Sequence, residues 1–286
     1  MAGGSRVCPH CGALNAIEDK DCFRCGKSIP GPLTSSARGV LSELAADGTI
    51  GTKLLVGLCL VVFGLCLLTD PRRGGIPGLE GFESWTTIRF GALLGLVSRD
   101  EPWRVLSAVF VHSSLLHVGL NMLGLVSFGR SLEAHLGSAR FIVLFALCGV
   151  LGFVATLWWR GEQAFSVGAS GSIFGLLGAT VGGLFVRRSA DWHRVLVSNL
   201  ILALALAFVA RGIEHSAHIG GFVSGVLLGL LFEREPSPRR RDRPFAVLAV
   251  IVLVSCVASL VLSVRSPVWK GVKQLQEAAR PSFDSE

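Results

Sequence analysis

Seven apolar runs follow one another after about residue 50, and polar or charged segments separate them. A helix of about 20 apolar residues crosses the hydrocarbon core of a bilayer. Several of the runs are short or rich in glycine, whereas the last contains no charged residue. The pattern predicts an all-α polytopic membrane protein with seven transmembrane helices, over residues 51–69, 105–128, 141–159, 166–186, 195–210, 216–232 and 245–264.

The composition excludes an ordinary soluble protein and bears on the choice of partner. Hydrophobic residues make up 51% of the chain and charged residues only 16%, and the mean hydropathy is +0.59. A net charge of +7 would suit a nucleic-acid-binding protein. Most of the basic residues, however, lie in short loops between the apolar runs. We therefore expect a lipid bilayer, and no nucleic acid, as their partner.

The loop charges also predict an orientation. Ten arginines lie in loops on one side of the predicted membrane, and the two comparable short loops opposite carry only Arg160 and Arg211. Because Lys and Arg accumulate in cytoplasmic loops, the N-terminus is predicted to be cytoplasmic and the C-terminus outside. The ten are Arg130, Arg140, Arg187, Arg188, Arg194, Arg234, Arg239, Arg240, Arg241 and Arg243.

The N-terminal 29 residues have a different composition and predict a metal site. Two C-x-x-C pairs, Cys8 with Cys11 and Cys22 with Cys25, are each followed by glycine. Four thiolates in two close pairs suit a tetrahedral structural Zn²⁺, and a reducing cytoplasm favours metal over a disulfide. A redox dithiol or an unmetallated tail is the alternative. The segment resembles small zinc ribbons of bacterial proteins, which either dock a cytoplasmic partner or cap a terminus.

The remaining domain boundaries follow from composition. Residues 30–49 are rich in Pro, Gly, Ser and Ala and are typical of a linker. Residues 50–264 form the membrane domain, and residues 265–286 are a polar C-terminal tail. Residues 70–101 are too polar to span, and their tryptophan, with Trp103-Arg104 just beyond, suits a loop in the membrane interface.

A serine and a histidine near the starts of two apolar runs form the candidate catalytic pair. Ser170 lies in Gly168-Ala169-Ser170-Gly171, and His218 opens the run that contains Gly221 and Gly225. Both runs cross the membrane in the same direction, so both residues lie at the same depth. Glycine stripes on the two helices permit close approach and would bring the imidazole to the hydroxyl. We expect Ser170 to be the nucleophile and His218 its general base.

The second run supplies candidate oxyanion donors. His117 and Asn121 are four residues apart and share a helix face. Together with the Ser170 amide at a helix start, they could stabilise a developing oxyanion. His112 lies off that face and is expected to order the adjoining loop. A lone serine in a membrane helix usually packs helices, but polar residues at one membrane depth are costly and indicate function.

These motifs resemble those of the rhomboid family of intramembrane serine proteases over about residues 50–264. The resemblance implies a six-helix bundle plus one C-terminal helix, a catalytic Ser170 and His218, an oxyanion hole of His117, Asn121 and the Ser170 amide, and no catalytic cofactor. It also implies that Phe174 packs on the catalytic imidazole. The matching residues are Trp103-Arg104, His112, His117, Asn121, Glu133, Gly137, Gly168, Ser170, Gly171, Ala217, His218, Gly221 and Gly225.

The predicted function is therefore cleavage of transmembrane protein substrates near the outer leaflet of a bacterial plasma membrane. A rhomboid-like protein that binds membrane clients without cleaving them is the alternative, although such proteins usually lack the serine or the histidine. A transporter would distribute polar residues through both leaflets. The apolar segments 200–209 and 245–264 argue against that class.

Overall fold

The structure is a computed structural model that describes residues 5–8, 11–16, 19–27, 48–71, 78, 81–198, 215–234 and 242–279. The chain divides into two compact units, Met1–Ile50 and Gly51–Glu286. Most of the predicted linker, residues 30–47, lies outside the described residues, as do residues 199–210 of the fifth apolar run.

The N-terminal unit is built on two matching turns. Strands β1 (Ser5–Val7) and β2 (Leu14–Ala16) form an antiparallel hairpin. In the hairpin turn, the Gly12 N–H donates to the Cys8 carbonyl at 2.9 Å. The Gly26 N–H donates to the Cys22 carbonyl at 2.8 Å in the same way. Both glycines have a positive φ, which explains why glycine follows each cysteine pair.

In the described part of the chain, the membrane unit consists of helices and one two-stranded sheet. Among the described residues, five helices are long and apolar enough to cross a membrane: α1 (Ile50–Thr69), α4 (Leu115–Leu136), α5 (Ser138–Arg160), α7 (His215–Glu233) and α8 (Asp242–Arg265). A sixth apolar helix, α6 (Ser170–Val186), has 17 residues. The remaining elements are α2 (Ser84–Arg89), β3 (Leu93–Leu94), α3 (Arg104–Ser107), β4 (Phe165–Ser166) and α9 (Val268–Ala278), and residues 191–198 are also helical.

The helix predicted from the second apolar run begins ten residues later than its hydrophobicity suggested, at Leu115 rather than residue 105. Ser114 is extended, and its hydroxyl caps the helix by accepting the His117 N–H at 3.2 Å. The first part of the run forms α3 and a short 3₁₀ turn, Ala108–Phe110. These residues are apolar because they lie in the protein core: Phe110 and Val111 are fully buried.

Glycines set the spacing between α6 and α7. A Cβ atom at Gly221 would lie 2.0 Å from the Gly171 carbonyl oxygen, and one at Gly225 would lie 2.0 Å from the Gly175 carbonyl oxygen. The two backbones therefore touch, and a larger residue at either position would force them apart. This close pairing fixes which residues of the two helices face each other.

The start of α1 is held by a carboxylate from α4. The Glu133 side chain is fully buried and accepts the Gly51 N–H at 2.6 Å and the Thr52 N–H at 2.8 Å. The Thr52 hydroxyl donates to the same carboxylate at 2.7 Å. Unpaired N–H groups at a helix start are thus satisfied by a negative charge, which the helix dipole favours.

Candidate active site

The structure brings Ser170 and His218 into hydrogen-bond contact. Ser170 is the first residue of α6, and His218 lies in the first turn of α7. The distance between Ser170 Oγ and His218 Nε2 is 2.8 Å. When the proton of the neutral ring is on Nδ1, Nε2 can accept the serine proton, as a nucleophile and its base require. Both residues are partly buried, so the pair lies in a sheltered position.

Two aromatic rings fix the plane of the His218 imidazole. Phe174, one turn after Ser170 on α6, stacks on it with ring centroids 4.3 Å apart and planes 12° from parallel. His215 meets the imidazole edge-on at 6.4 Å. Phe174 cannot form a hydrogen bond with the imidazole, so it acts only by packing. Sequence analysis did not single out His215, although its three-residue spacing from His218 places both on one face.

The hydrogen bonds of His117 indicate which of its ring nitrogens carries the proton. The Ser113 N–H donates to His117 Nδ1 at 3.4 Å, and the Ser113 hydroxyl lies 3.0 Å from the same nitrogen. With Nδ1 accepting, the hydrogen-bond pattern places the ring proton on Nε2. A Cβ atom at Gly168 would lie 2.7 Å from Nε2. The donor nitrogen of His117 therefore lies directly against the loop that carries Ser170, and only glycine fits there. Ser113 was also missed from the sequence.

Asn121 is buried one turn further along α4. Its Nδ2 donates to the His117 carbonyl at 2.8 Å, which leaves the second hydrogen of the amide for another acceptor. Its Oδ1 is buried and has no hydrogen-bond partner among the described residues. Buried polar atoms are rarely left unpaired, and the exceptions require an explanation. A bound substrate or water would supply the missing partner.

His112 contacts the loop before the nucleophile rather than the nucleophile itself. Its Nδ1 donates to the Phe110 carbonyl at 3.3 Å, and its Nε2 accepts the Ala169 N–H at 3.4 Å. Burial, together with nearby His117, lowers the pKa of His112 to about 3. The ring therefore stays neutral and keeps its acceptor. The Gly168 N–H next to it donates to the Ala108 carbonyl at 2.8 Å.

The Trp103-Arg104 motif organises the loop between α1 and α4. Arg104 is fully buried. Its Nη1 donates to the carbonyl oxygens of Ile88 and Ala92 at 2.8 and 3.1 Å, and its Nε donates to Glu101. Trp103 is partly buried. Together with Glu133, which contacts the start of α1, Arg104 holds backbone segments in place.

The four cysteines of the N-terminal unit form a cluster that fits a metal. Their sulfur atoms all lie within 4.8 Å of one another, with Cys8 and Cys25 at 3.7 Å and Cys11 and Cys22 at 3.5 Å. A Zn²⁺ tetrahedron with bonds of about 2.3 Å has sulfur–sulfur edges of roughly 3.8 Å. A backbone hydrogen bond at Ala13 lowers the pKa of Cys11, but burial and hydrogen bonds with the other three thiols outweigh it and raise the pKa to about 12. For Cys22, desolvation raises the pKa, but hydrogen bonds from the backbone of Cys25 and Arg24 and from neighbouring thiols outweigh it and lower the pKa to about 6. Such a thiolate suits a zinc ligand.

Comparisons with known proteins agree with the motifs. The family model described as "Rhomboid domain" matches residues 99–235. The chain is 34% identical over 201 residues to RHOMBOID-like protein 5 of Arabidopsis thaliana, a match that covers 66% of this chain and 65% of the relative. It is 30% identical over 150 residues to the rhomboid relative YdcA of Bacillus subtilis, covering 51% of this chain and 75% of YdcA.

A longer match extends along most of this chain. The rhomboid protease GluP of Bacillus subtilis is 27% identical over 232 residues, which is 80% of this chain and 43% of GluP. The chain spans 65% of the Arabidopsis relative and less than half of GluP. The relatives therefore contain regions without a counterpart in the matched part of this chain.

Proposed function

Because this chain belongs to the rhomboid family and is an integral membrane protein, we propose that it is a serine endopeptidase that cleaves transmembrane segments near the outer leaflet. The observation that most strongly supports the proposal is the 2.8 Å contact between Ser170 Oγ and His218 Nε2 at the starts of two membrane helices. Relatives named as rhomboid proteases support the same class of reaction.

The proposed reaction begins with proton transfer. His218, in its neutral form, takes the proton from Ser170 as the hydroxyl oxygen attacks the carbonyl carbon of the scissile peptide bond. The imidazolium then gives the proton to the departing amine, which leaves an ester between Ser170 and the substrate. Water attacks this ester with His218 again as the base, and the serine is regenerated.

The negative oxygen of the tetrahedral intermediate needs hydrogen-bond donors. His117 Nε2, the second amide hydrogen of Asn121 and the Ser170 backbone N–H are the proposed set. Loss of one such donor typically costs about 2.7–4 kcal/mol of transition-state stabilisation. His117 Nε2 lies against Gly168, two residues before the nucleophile, which supports its assignment. The substrate helix must unwind locally to reach these groups, so helix-breaking residues near its outer end are expected.

The orientation and domain organisation are part of the proposal. The arginine distribution supports a cytoplasmic N-terminus and an external C-terminus in a bacterial plasma membrane. Residues 1–29 are the zinc-binding module, 30–49 the linker, 50–264 the protease domain with seven spans, and 265–286 the tail. The substrates would then be cut close to the external surface.

The test is labelling by a serine-directed fluorophosphonate. Purified protein in detergent should react in the wild type, and labelling should disappear in Ser170→Ala. Ser172→Ala is the matched control, because Ser172 lies two residues later on the same helix and its hydroxyl is buried. A folded wild type that does not label would argue against a protease and favour a rhomboid-like protein that binds membrane clients without cleaving them.

We propose that the four N-terminal cysteines hold one structural Zn²⁺, whose role is to stabilise the fold of this unit. The wild type should contain about one zinc per chain by elemental mass spectrometry. Cys22→Ser should lower that content, whereas the wild-type fluorophosphonate labelling should persist after chelation. A metal-free wild type with an oxidisable thiol pair would favour the redox alternative. A cytoplasmic partner of this unit is one further proposed role, and a simple terminal cap is the other.

A further inference from the structure

The last span, α8, contacts the rest of the membrane unit through a column of buried serines. Most of its apolar side chains are exposed, including Val250 and Val254, as expected for a helix that faces lipid. Ser259, Ser263 and Ser266 are at most 5% exposed. Hydroxyl groups on a buried helix face in a membrane can form hydrogen bonds to neighbouring elements. Ser266 does so with Glu101, and Ser263 packs against Ser107.

Ser266 is the junction between α8 and α9. Its hydroxyl donates to Glu101 Oε1 at 2.5 Å and accepts the Val268 N–H at the start of α9 at 3.1 Å. Glu101 is 7% exposed, and its other oxygen accepts from Arg104 Nε. A buried carboxylate depends on such donors, because a lost donor is not replaced by water.

Arg104 connects Glu101 to the loop that precedes the nucleophile. It holds the Ala92 carbonyl, and Ala92 directly precedes β3. Strand β3 pairs with β4 in the register Leu93↔Ser166, and the Gly95 N–H donates to the Ala164 carbonyl at 2.8 Å. Strand β4 ends four residues before Ser170. A series of hydrogen bonds and short backbone segments therefore links Ser266 to the nucleophile loop.

A second, shorter connection runs in parallel. The Ser263 hydroxyl donates to the Ser259 carbonyl of its own helix at 2.8 Å and packs 3.3 Å from the Ser107 hydroxyl, which donates to the Gly91 carbonyl at 2.9 Å. The next residue, Ala108, accepts the Gly168 N–H at 2.8 Å. Both connections start on α8 and end on the segment that presents Ser170.

Helix α9 makes a further contact, with α2 in the loop between α1 and α4. Trp269 stacks on Trp85 of α2 with ring centroids 6.0 Å apart, and the Lys273 ammonium lies 5.0 Å from the Trp85 ring centroid. The Trp269 indole N–H donates to the Val264 carbonyl of α8 at 3.0 Å. The segment predicted as a polar tail thus contains a helix that packs on the loop between α1 and α4.

We propose that Ser266 is a positioning residue, through which the last span holds the β3–β4 pair and thereby the loop that presents Ser170. The inference rests on the proposed serine-protease function. Ser266 touches neither Ser170 nor His218, so its removal should slow the chemical step without weakening substrate binding. The seventh span then contributes to catalysis from outside the site.

The experiment compares Ser266→Ala with Ser259→Ala. The Ser259 hydroxyl is equally buried but donates only to the Cys256 carbonyl of its own helix, so its variant reports a general loss from α8. We expect Ser266→Ala to lower kcat for a transmembrane reporter roughly tenfold at unchanged KM. Ser259→Ala should stay within about twofold. Ser266→Thr, which keeps the hydroxyl, should recover most of the rate.

Backbone hydrogen exchange supplies a readout that does not need activity. In Ser266→Ala, the amides of Gly95 and Gly168 should exchange roughly threefold faster or more, whereas in Ser259→Ala they should match the wild type. Equal exchange at both amides in all variants, or a change in KM alone, would overturn the positioning role. If the wild type neither reacts with the fluorophosphonate nor cleaves the reporter, the proposed function fails. Faster amide exchange in Ser266→Ala alone would then still support the connection from Ser266 to the nucleophile loop.

Discussion

A histidine lies at each end of the α6–α7 pair: His218 of α7 at one end and His135 of α4 at the other. The two histidines have different neighbours. At one end, His218 contacts the Ser170 hydroxyl and stacks on Phe174. At the other end, His135 Nε2 lies 2.9 Å from Glu233 and 2.8 Å from Arg187. Arg187 and Glu233 also form an ion pair at 3.0 Å.

The difference teaches what an imidazole needs to act as a base. His135 is about half exposed, at 47% of its side chain, and lies between a carboxylate and a guanidinium. It ties the ends of α4, α6 and α7 together, and among the described residues no nucleophile shares its contacts. The His218 imidazole contacts the Ser170 hydroxyl and stacks on an aromatic ring, so its nitrogen lone pair points at the serine proton and can accept it. Contact with Ser170, rather than the presence of histidine, therefore marks the candidate site.

The largest expected effect comes from removing His218, with the removal of His135 as the comparison. His218→Ala should abolish reporter cleavage and fluorophosphonate labelling, by a factor on the order of 10³ or more, because His218 is the base in contact with Ser170. His135→Ala should retain activity, because exposed ion pairs contribute only about 0–1 kcal/mol to stability. The measurement is cleavage of a transmembrane reporter in proteoliposomes. Equal losses in the two variants would remove the distinction between the two ends.

The pairing of α6 with α7 could be predicted from sequence, because glycines every three or four residues define one face of each helix. The hydrogen bond from Ser113 to His117 could also have been found, since the two residues are one turn apart. The sheet between β3 and β4 could not, because each strand has two residues and no periodicity. The docking of α9 depends on Trp85 in a distant loop. The late start of α4 depends on whether an apolar residue faces lipid or protein, which hydrophobicity alone does not distinguish.

The oxyanion donors should give the next largest effect. His117→Ala and Asn121→Ala should each lower kcat by about 10²–10³, with KM nearly unchanged, because the oxyanion exists only in the transition state. Asn121→Asp keeps the shape but removes the donor and should fall as far. A variant that raised KM without changing kcat would instead place the residue in substrate binding.

The close contact between α6 and α7 predicts that a larger residue at Gly221 lowers both stability and activity. A Cβ atom in Gly221→Ala would lie 2.0 Å from the Gly171 carbonyl oxygen, so α7 must shift and His218 must move from Ser170. We expect destabilisation of about 1–3 kcal/mol and a loss of roughly tenfold or more in kcat/KM. Gly57→Ala in α1 is the control, because a Cβ atom there has no neighbour within 4 Å. Thermal unfolding in detergent and reporter cleavage measure the two effects.

Stacking on the imidazole should contribute less. Phe174→Leu keeps an apolar side chain but removes the ring 4.3 Å from His218. Aromatic pairs contribute about 0.5–1.5 kcal/mol beyond their buried area, so kcat should fall roughly three- to tenfold. Phe174→Tyr should restore the rate, since it retains the ring. If Phe174→Leu matched the wild type, the orientation of His218 would have to come from other contacts.

The smallest expected effect concerns the pH dependence of cleavage, in which the two histidines should also differ. Cleavage by the wild type should fall as the pH is lowered, because a protonated His218 ring cannot accept the Ser170 proton. His135→Gln removes the ring near Glu233 and Arg187 and should leave the pH profile unchanged, because that ring contacts these two residues rather than Ser170. The profile of kcat/KM between pH 5 and 8 measures both. A wild-type rate that is flat over that range would count against His218 as the base, and a displaced profile in His135→Gln would remove the distinction between the two histidines.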